Sequence, residues 1–208
     1  SQEYRAVMAV LSKRFSNRWQ GHLSYVFSRN EGTLDNDGSS TFGAGRTFQT
    51  PTLALVNNEG PLSYHREHEF KLYGTYQIPV IEVGLNAMLR QYSGRPYAAY
   101  QRFGTGAINF GVSRTGREPY LEPRGSRRMP SQTIVDLRLD KYFKFGSRKE
   151  QVSFYVDIQN LLDKGPATTI QTRVPGVGIT GFPDPVEFGS PSSILTARQV
   201  QLGARYSF

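Results

Sequence analysis

The sequence contains no cysteine, which excludes a disulfide framework and any thiolate metal site. It has no long apolar run either. The longest, Ala6 to Leu11, is six residues, far short of the roughly 20 that a membrane-spanning helix requires. Hydrophobic residues make up only 38% of the chain, with one Trp and three Met. No basic-plus-apolar leader follows Ser1, so the expectation is that a signal has been removed or that the N-terminus is missing. What is present in the 208 residues is 12 Tyr, 13 Phe and 21 Gly, a mixture poor for helical bundles and rich for β-structure. The length allows one or two ordinary domains. Lys and Arg number 25 against 17 Asp and Glu, a net charge of +8.

Alternation with a period of two dominates the chain, and in a strand it places one apolar and one wet wall on opposite faces. The clearest stretch is Trp19 to Ser28, where Trp19, Gly21, Leu23, Tyr25 and Phe27 oppose Gln20, His22, Ser24, Val26 and Ser28. The same pattern sets Phe70, Leu72, Gly74, Tyr76 and Ile78 apart from their neighbours, then Val83, Leu85, Ala87 and Leu89. It returns at Val135, Leu137 and Leu139, at Val152, Phe154, Val156 and Ile158, and at Val200, Leu202, Ala204, Tyr206 and Phe208. A segment from Glu3 to Arg14 is less clean, because Val7, Ala9 and Leu11 share a face with Arg5 and Lys13. Seven strands are therefore expected.

The connections alternate short and long. Phe15–Arg18, Pro79–Ile81 and Gly146–Glu150 are tight, whereas the stretches before Phe70, after Tyr92 and after Leu162 are long. Loops beyond about 15 residues are uncommon in compact domains. Three on one end are the rule in outer-membrane barrels, with short periplasmic turns and long extracellular loops. Strand lengths of about 9–13 residues suit a tilted membrane crossing, and a closed barrel pairs every backbone group in lipid. Aromatics at strand ends (Trp19, Tyr25, Phe27, Tyr76, Tyr142, Phe143, Tyr206 and Phe208) are expected to form the interfacial girdles. A soluble sandwich with its apolar face inside fits the alternation alone; the loop asymmetry favours the antiparallel transmembrane β-barrel.

The last strand, with Val200, Leu202, Ala204, Tyr206 and Phe208 at every second place, resembles the C-terminal assembly signal read by the barrel-assembly machinery of bacterial outer membranes. An amphipathic edge strand ending in an aromatic suits addition to a receptive sheet edge. Further stretches are similar to the C-terminal part of the barrel of TonB-dependent outer-membrane receptors of the Oar-like group. They are Lys13–Asn17 with Trp19–Gln20 and Ser24–Tyr25; His68–Leu72 with Tyr76–Pro79; Ser93–Tyr97; Pro123–Arg128; Asp136–Phe143; and Asp157–Leu162. His65 stands where that pattern has an Asp. The resemblance implies a 22-stranded barrel around a plug, of which residues 1–208 supply about seven strands, with the plug and its TonB-contacting box absent. It also implies uptake of a large scarce substrate, often an iron chelate, cobalamin or a glycan, with the TonB complex engaged through the plug. An odd strand count independently suggests a fragment, since bacterial barrels have even numbers.

Other signals are weaker. Asp136, Arg138, Asp140, Asp157 and Arg205 share the wet face. Arg on a lipid face costs about 2–4 kcal/mol near the midplane, so this face is expected to line the lumen. Arg114, Arg117, Arg124, Arg127 and Arg128 fall in one long loop, where a solvated loop is the simpler account and lipopolysaccharide phosphates are possible contacts. No nucleic-acid module is visible. His65 and His68 precede a strand, where residues three apart point to opposite faces, so no metal site is expected. Gly43–Arg46 and Gly176–Gly178 are not placed between a parallel strand and a helix, as phosphate loops require. No nucleophile–base pair can be assembled; neither catalysis nor a cofactor is expected. The leading expectation is a wall and loop segment of an uptake receptor in the bacterial cell outer membrane, in contact with its lipid. The competing ones are a complete small barrel acting as anchor or adhesin, and a soluble carbohydrate-binding β-sandwich.

Overall fold

The computed structural model describes residues 2–33, 56–103, 119–145, 150–177 and 187–207. Every regular element among them is a strand. The seven long ones are β1 (Gln2–Ser16), β2 (Trp19–Gly32), β3 (His68–Ile78), β4 (Val83–Tyr92), β5 (Gln132–Phe145), β6 (Glu150–Gln159) and β7 (Gln199–Ser207). They pair antiparallel in chain order as one sheet, and the two-residue strand Gly60–Pro61 adds an eighth beside the end of β2. All seven expected strands are present, and β5 runs further at both ends than its alternation suggests.

The first turn is tight for a local reason. Asn17 and Arg18 both have positive φ, 52° and 69°, the signature of the type I′ hairpin whose twist matches the flanking strands. Asn tolerates that region better than most residues. The turn after β3 closes on Glu82, also at positive φ. Residues 146–149 lie outside the described set.

The register sorts side chains into lateral rows. Leu11, Leu23, Leu72, Leu89 and Val135 stand abreast on five strands. The next row toward the turns carries Gly21, Gly74, Ala87, Leu137, Ile158 and Val200. Aliphatic rows are flanked by aromatic ones: Tyr25, Phe27 and Phe70 toward the loops, and Trp19, Tyr76, Phe143 and Tyr206 toward the turns. Tyr142 differs from expectation. It pairs with Ser153, on the opposite face from Phe143, because adjacent residues of a strand alternate sides. Phe208 lies outside the described residues.

The two charges that disturb β1 are managed at its ends. Lys13 bends its ammonium back to the turn, donating to the Ser16 carbonyl at 2.9 Å and the Trp19 carbonyl at 3.1 Å, 3.8 Å over the Trp19 ring. This is a snorkelling geometry, with stem on the apolar face and head at its margin. Arg5 pairs with Glu3 at the other end. Val7, Ala9 and Leu11 are left as an uninterrupted apolar stretch.

This apolar face is bare. Val7, Leu11 and Leu202 are 71%, 70% and 75% exposed, and the described residues provide no second sheet to cover it. A soluble sandwich buries that face, so the sandwich expectation is overturned. β1 and β7 each keep one unpaired edge among the described residues, and the sheet is open.

The core sits elsewhere. Buried apolar residues are Leu62, Ala98, Ala99, Tyr100, Tyr120, Met129 and Ala167, all in the long connections. Those connections build three small ladders: Pro96–Tyr97 with Arg127–Arg128, Tyr100–Phe103 parallel to Arg173–Val177, and Ala167–Ile170 with Pro191–Ile194. Together they form a cap at one end of the sheet, packed against its polar face. Ser28 Oγ donates to the Arg66 carbonyl at 2.8 Å, and Arg66 donates to Gln132 Oε1 at 3.2 Å, with its guanidinium 4.7 Å over the Tyr92 ring. Ser28, Tyr92 and Gln132 all belong to the polar face.

Candidate functional site

Two polar constellations occupy this side of the molecule. The first is the sheet's polar face. Arg90 pairs with Asp136, Arg138 with Asp157 at 3.4 Å, and Asn86 bridges Thr75 and Asp140 with bonds of 2.8 Å on each side. Arg138 also lies 4.1 Å over the Tyr155 ring. Two glycines make this network possible. A Cβ at Gly84 would fall 2.6 Å from the Asp140 carboxylate, and one at Gly203 would fall 2.2 Å from the Tyr155 ring. The register places Asp136, Arg138, Asp140, Asp157 and Arg205 together opposite the apolar face. In a barrel that face lines the lumen, where pairing across strands spares each charge from lipid.

Asp136 also ties the sheet to the cap. Its second oxygen accepts the Asn160 N–H at 2.9 Å. Asn160, at φ 49°, turns the chain out of β6, and its amide donates to the carbonyls of Lys164 at 3.0 Å and Thr196 at 2.9 Å. One side chain thus joins the beginning and the end of the third long connection.

The second constellation is the cap. Asn57 donates to the Tyr120 carbonyl at 3.2 Å and accepts the Arg124 N–H on its own carbonyl at 2.9 Å. Gly60 and Gly125 let the two loops meet. A Cβ at Gly60, whose φ is +150°, would lie 2.4 Å from the Arg124 carbonyl oxygen, and Gly125, at φ +69°, lies against Pro61. Gly94 is tighter still, with a Cβ there meeting the Met129 oxygen at 1.6 Å. Glu122 accepts from Arg127 at 2.8 Å and from the Ala99 N–H at 2.7 Å. Burial alone pushes this carboxyl up, but those donors and the Arg127 charge outweigh it, leaving its pKa below the usual value. Burial, reinforced by the Arg128 charge, lowers the His65 pKa below 6.5.

The loop arginines singled out by sequence part company here. Arg127 pairs with Glu122, and Arg128 pairs with Glu67 at 3.3 Å and donates to the Gly94 carbonyl at 3.3 Å. Arg124 is not a rim contact: it is 4% exposed, enclosed where the first and second long loops meet. Arg114 and Arg117 lie outside the described residues, as do Gly43–Arg46 and Gly178. His65 and His68 diverge as a strand entry requires. His65 is buried in the cap, while the His68 ring lies tilted against Phe27 and meets the Tyr25 hydroxyl at 2.8 Å. Among the described residues no cluster of His, Asp and Glu could hold a metal ion. On the apolar side, Val200, Leu202, Ala204 and Tyr206 of the terminal strand are all exposed, facing outward in one line.

Sequence reading missed Arg66, Arg95 and Asn160 as cap-building groups. The signal was available: Arg95 lies in Ser93–Tyr97 and Asn160 in Asp157–Leu162, two of the stretches that carry the resemblance. Arg66 lies in neither.

Residues 1–97 match a family described as outer membrane beta barrel domain. The matched part spans β1 to β4 and ends at the first small ladder of the cap. No curated protein and no solved structure matches the chain. The unmatched β5, β6 and β7 continue the same sheet in register. This match over β1 to β4 places the protein in the bacterial outer membrane.

Proposed function

We propose that this outer-membrane β-barrel domain is the wall and outer-loop segment of a TonB-dependent receptor that actively imports a large substrate. One observation carries the reading: an open seven-strand wall whose polar face is dense with paired charges, with a folded cap seated on that same face. Seven strands in an open sheet suit an arc of a larger barrel, whose lumen has room for a separate plug. A small eight-stranded barrel instead fills its interior with its own side chains. The resemblance of Ser93–Tyr97, Pro123–Arg128 and Asp157–Leu162 to Oar-like receptors points the same way. Within this reading the wall supplies charge pairs toward the plug, the cap supplies a contact surface at the outer mouth, and the energy arrives through TonB.

The test is made on the protein encoded by the whole gene, extracted from outer membranes. Purified periplasmic TonB domain is expected to bind it, and its apparent size is expected to be that of a wide barrel. A compact barrel of about eight strands that ignores TonB would sink the transport reading and favour an anchor or adhesin.

A further inference from the structure

We propose that the cap contains a binding site for an oxyanion, a carboxylate or phosphate group, held by the free edge of the Arg124 guanidinium with Arg95 beside it. The site belongs to the cap and stands whether the intact protein imports or anchors.

All three long loops contribute to a cavity of about 50 Å³, lined among others by Tyr64, Arg95, Tyr97, Tyr120, Arg124 and Thr172. It has room for a few water-sized groups, enough for one carboxylate or phosphate but not for a whole nutrient. Arg124 is 4% exposed and spends only Nη1 on the protein, toward the Gly32 carbonyl at 3.4 Å. Its Nε and Nη2 are buried with no hydrogen-bond partner. Those two N–H groups lie on one edge of the guanidinium plane, the fork that takes a carboxylate or phosphate with two parallel bonds. Arg95 donates Nη2 to the Thr168 carbonyl and likewise keeps a buried Nε without a partner.

The other cap arginines show that pairing is the norm in this part of the molecule. Arg127 has Glu122, Arg128 has Glu67, and Arg66 has the Ser93 carbonyl and Gln132. No carboxylate lines this cavity among the described residues. A buried cation with unmade hydrogen bonds is costly, and two sharing one cavity repel each other. An anion relieves both at once. The arginines are also held in place without it: Arg124 lies 5.5 Å over the Tyr120 ring and Arg95 lies 5.9 Å over Tyr64. Gly60 and Gly125 let the first long loop pack directly against the chain at Arg124. The aromatic wall of Tyr64 and Tyr97 suits an anion attached to a ring or sugar.

The anion has two possible sources, a soluble carboxylate or phosphate and the phosphate of lipopolysaccharide. The whole protein, folded in phosphatidylcholine vesicles, is titrated with sodium phosphate and sodium acetate against sodium chloride at matched ionic strength. Thermal unfolding and protease resistance of the cap are followed, with a parallel series in vesicles containing lipid A. Phosphate or acetate is expected to raise the unfolding midpoint where chloride does not. Arg124→Gln is expected to abolish that rise, and Arg124→Lys, which keeps the charge without the fork, to weaken apparent affinity at least tenfold. If Arg124→Gln does not fold, Arg95→Gln reads the same loss from the other side of the cavity. Stabilisation by lipid A that competes with added phosphate assigns the lipopolysaccharide source; stabilisation by soluble anions alone assigns a free ligand. No difference between phosphate, acetate and chloride, or a rise that survives both Gln variants, overturns the site.

Discussion

The wall and the cap solve opposite problems with the same chain. In the wall, large apolar side chains such as Val7, Leu11 and Leu202 are exposed and the polar groups are paired across strands on the other face. In the cap, Tyr100, Tyr120 and Met129 are buried and the interior is crossed by hydrogen bonds to loop carbonyls. The wall is ordered by backbone ladders and solvated by lipid, so it needs no interior. The cap faces water and must bury apolar surface like any small soluble domain. Exposure of Leu is thus correct in one place and would be a defect in the other.

The comparison breaks most visibly under a charge on the lipid face. Leu137→Arg, in the row with Ala87 and Ile158, is expected to cost about 2–4 kcal/mol in urea unfolding from lipid. Gln201→Arg on the opposite face of the same sheet is expected to stay within about 0.5 kcal/mol. Equal losses would mean that the faces are not distinguished by lipid. Next in size is Gly94→Ala. Its Cβ has no place beside the Met129 carbonyl, and overpacking of this kind costs about 1–3 kcal/mol. Limited proteolysis should then cut the cap sooner while the far-UV β-signal of the wall is unchanged. Smallest is a pH effect confined to the cap. His65 has a folded-state pKa below its unfolded 6.5, so the unfolded loop binds the extra proton first. The cap's full stability is present above pH 6.5 and falls as the pH drops toward the folded value. His65→Gln should flatten that dependence in hydrogen exchange of the loops and leave exchange in the wall untouched.

The wall was legible in the sequence because alternation reports a face directly. Six of the seven strands show it cleanly and β1, apolar on both faces from Ala6 to Leu11, does so less cleanly; one misplacement, Tyr142, came from treating a strand-end aromatic as outward without counting parity from Phe143. The polar set Asp136, Arg138, Asp140 and Asp157 followed from the same parity. The cap was not legible, since its order comes from contacts between distant loops. Arg124 meets Gly60 and Gly32 across most of the first and second connections, and no local period announces such a meeting. Arginines in a polar loop look alike in sequence; only their partners separate Arg127, paired at the surface, from Arg124, enclosed with its fork free.

The alternation of tight turns with long connections has a kinetic side. β1 with β2, β3 with β4, and β5 with β6 are hairpins whose strands lie close in sequence, so each can zip with little loop-closure entropy. Joining one hairpin to the next requires closing a long loop, a slower and later event. β7 alone has no hairpin partner of its own and must be delivered to β6 across the third connection. The Asn160 amide grips carbonyls at both ends of that connection once β7 is in place. The wall is therefore three preformed units and one late arrival, and the late arrival is the amphipathic strand that an assembly factor would have to hold until its place is ready.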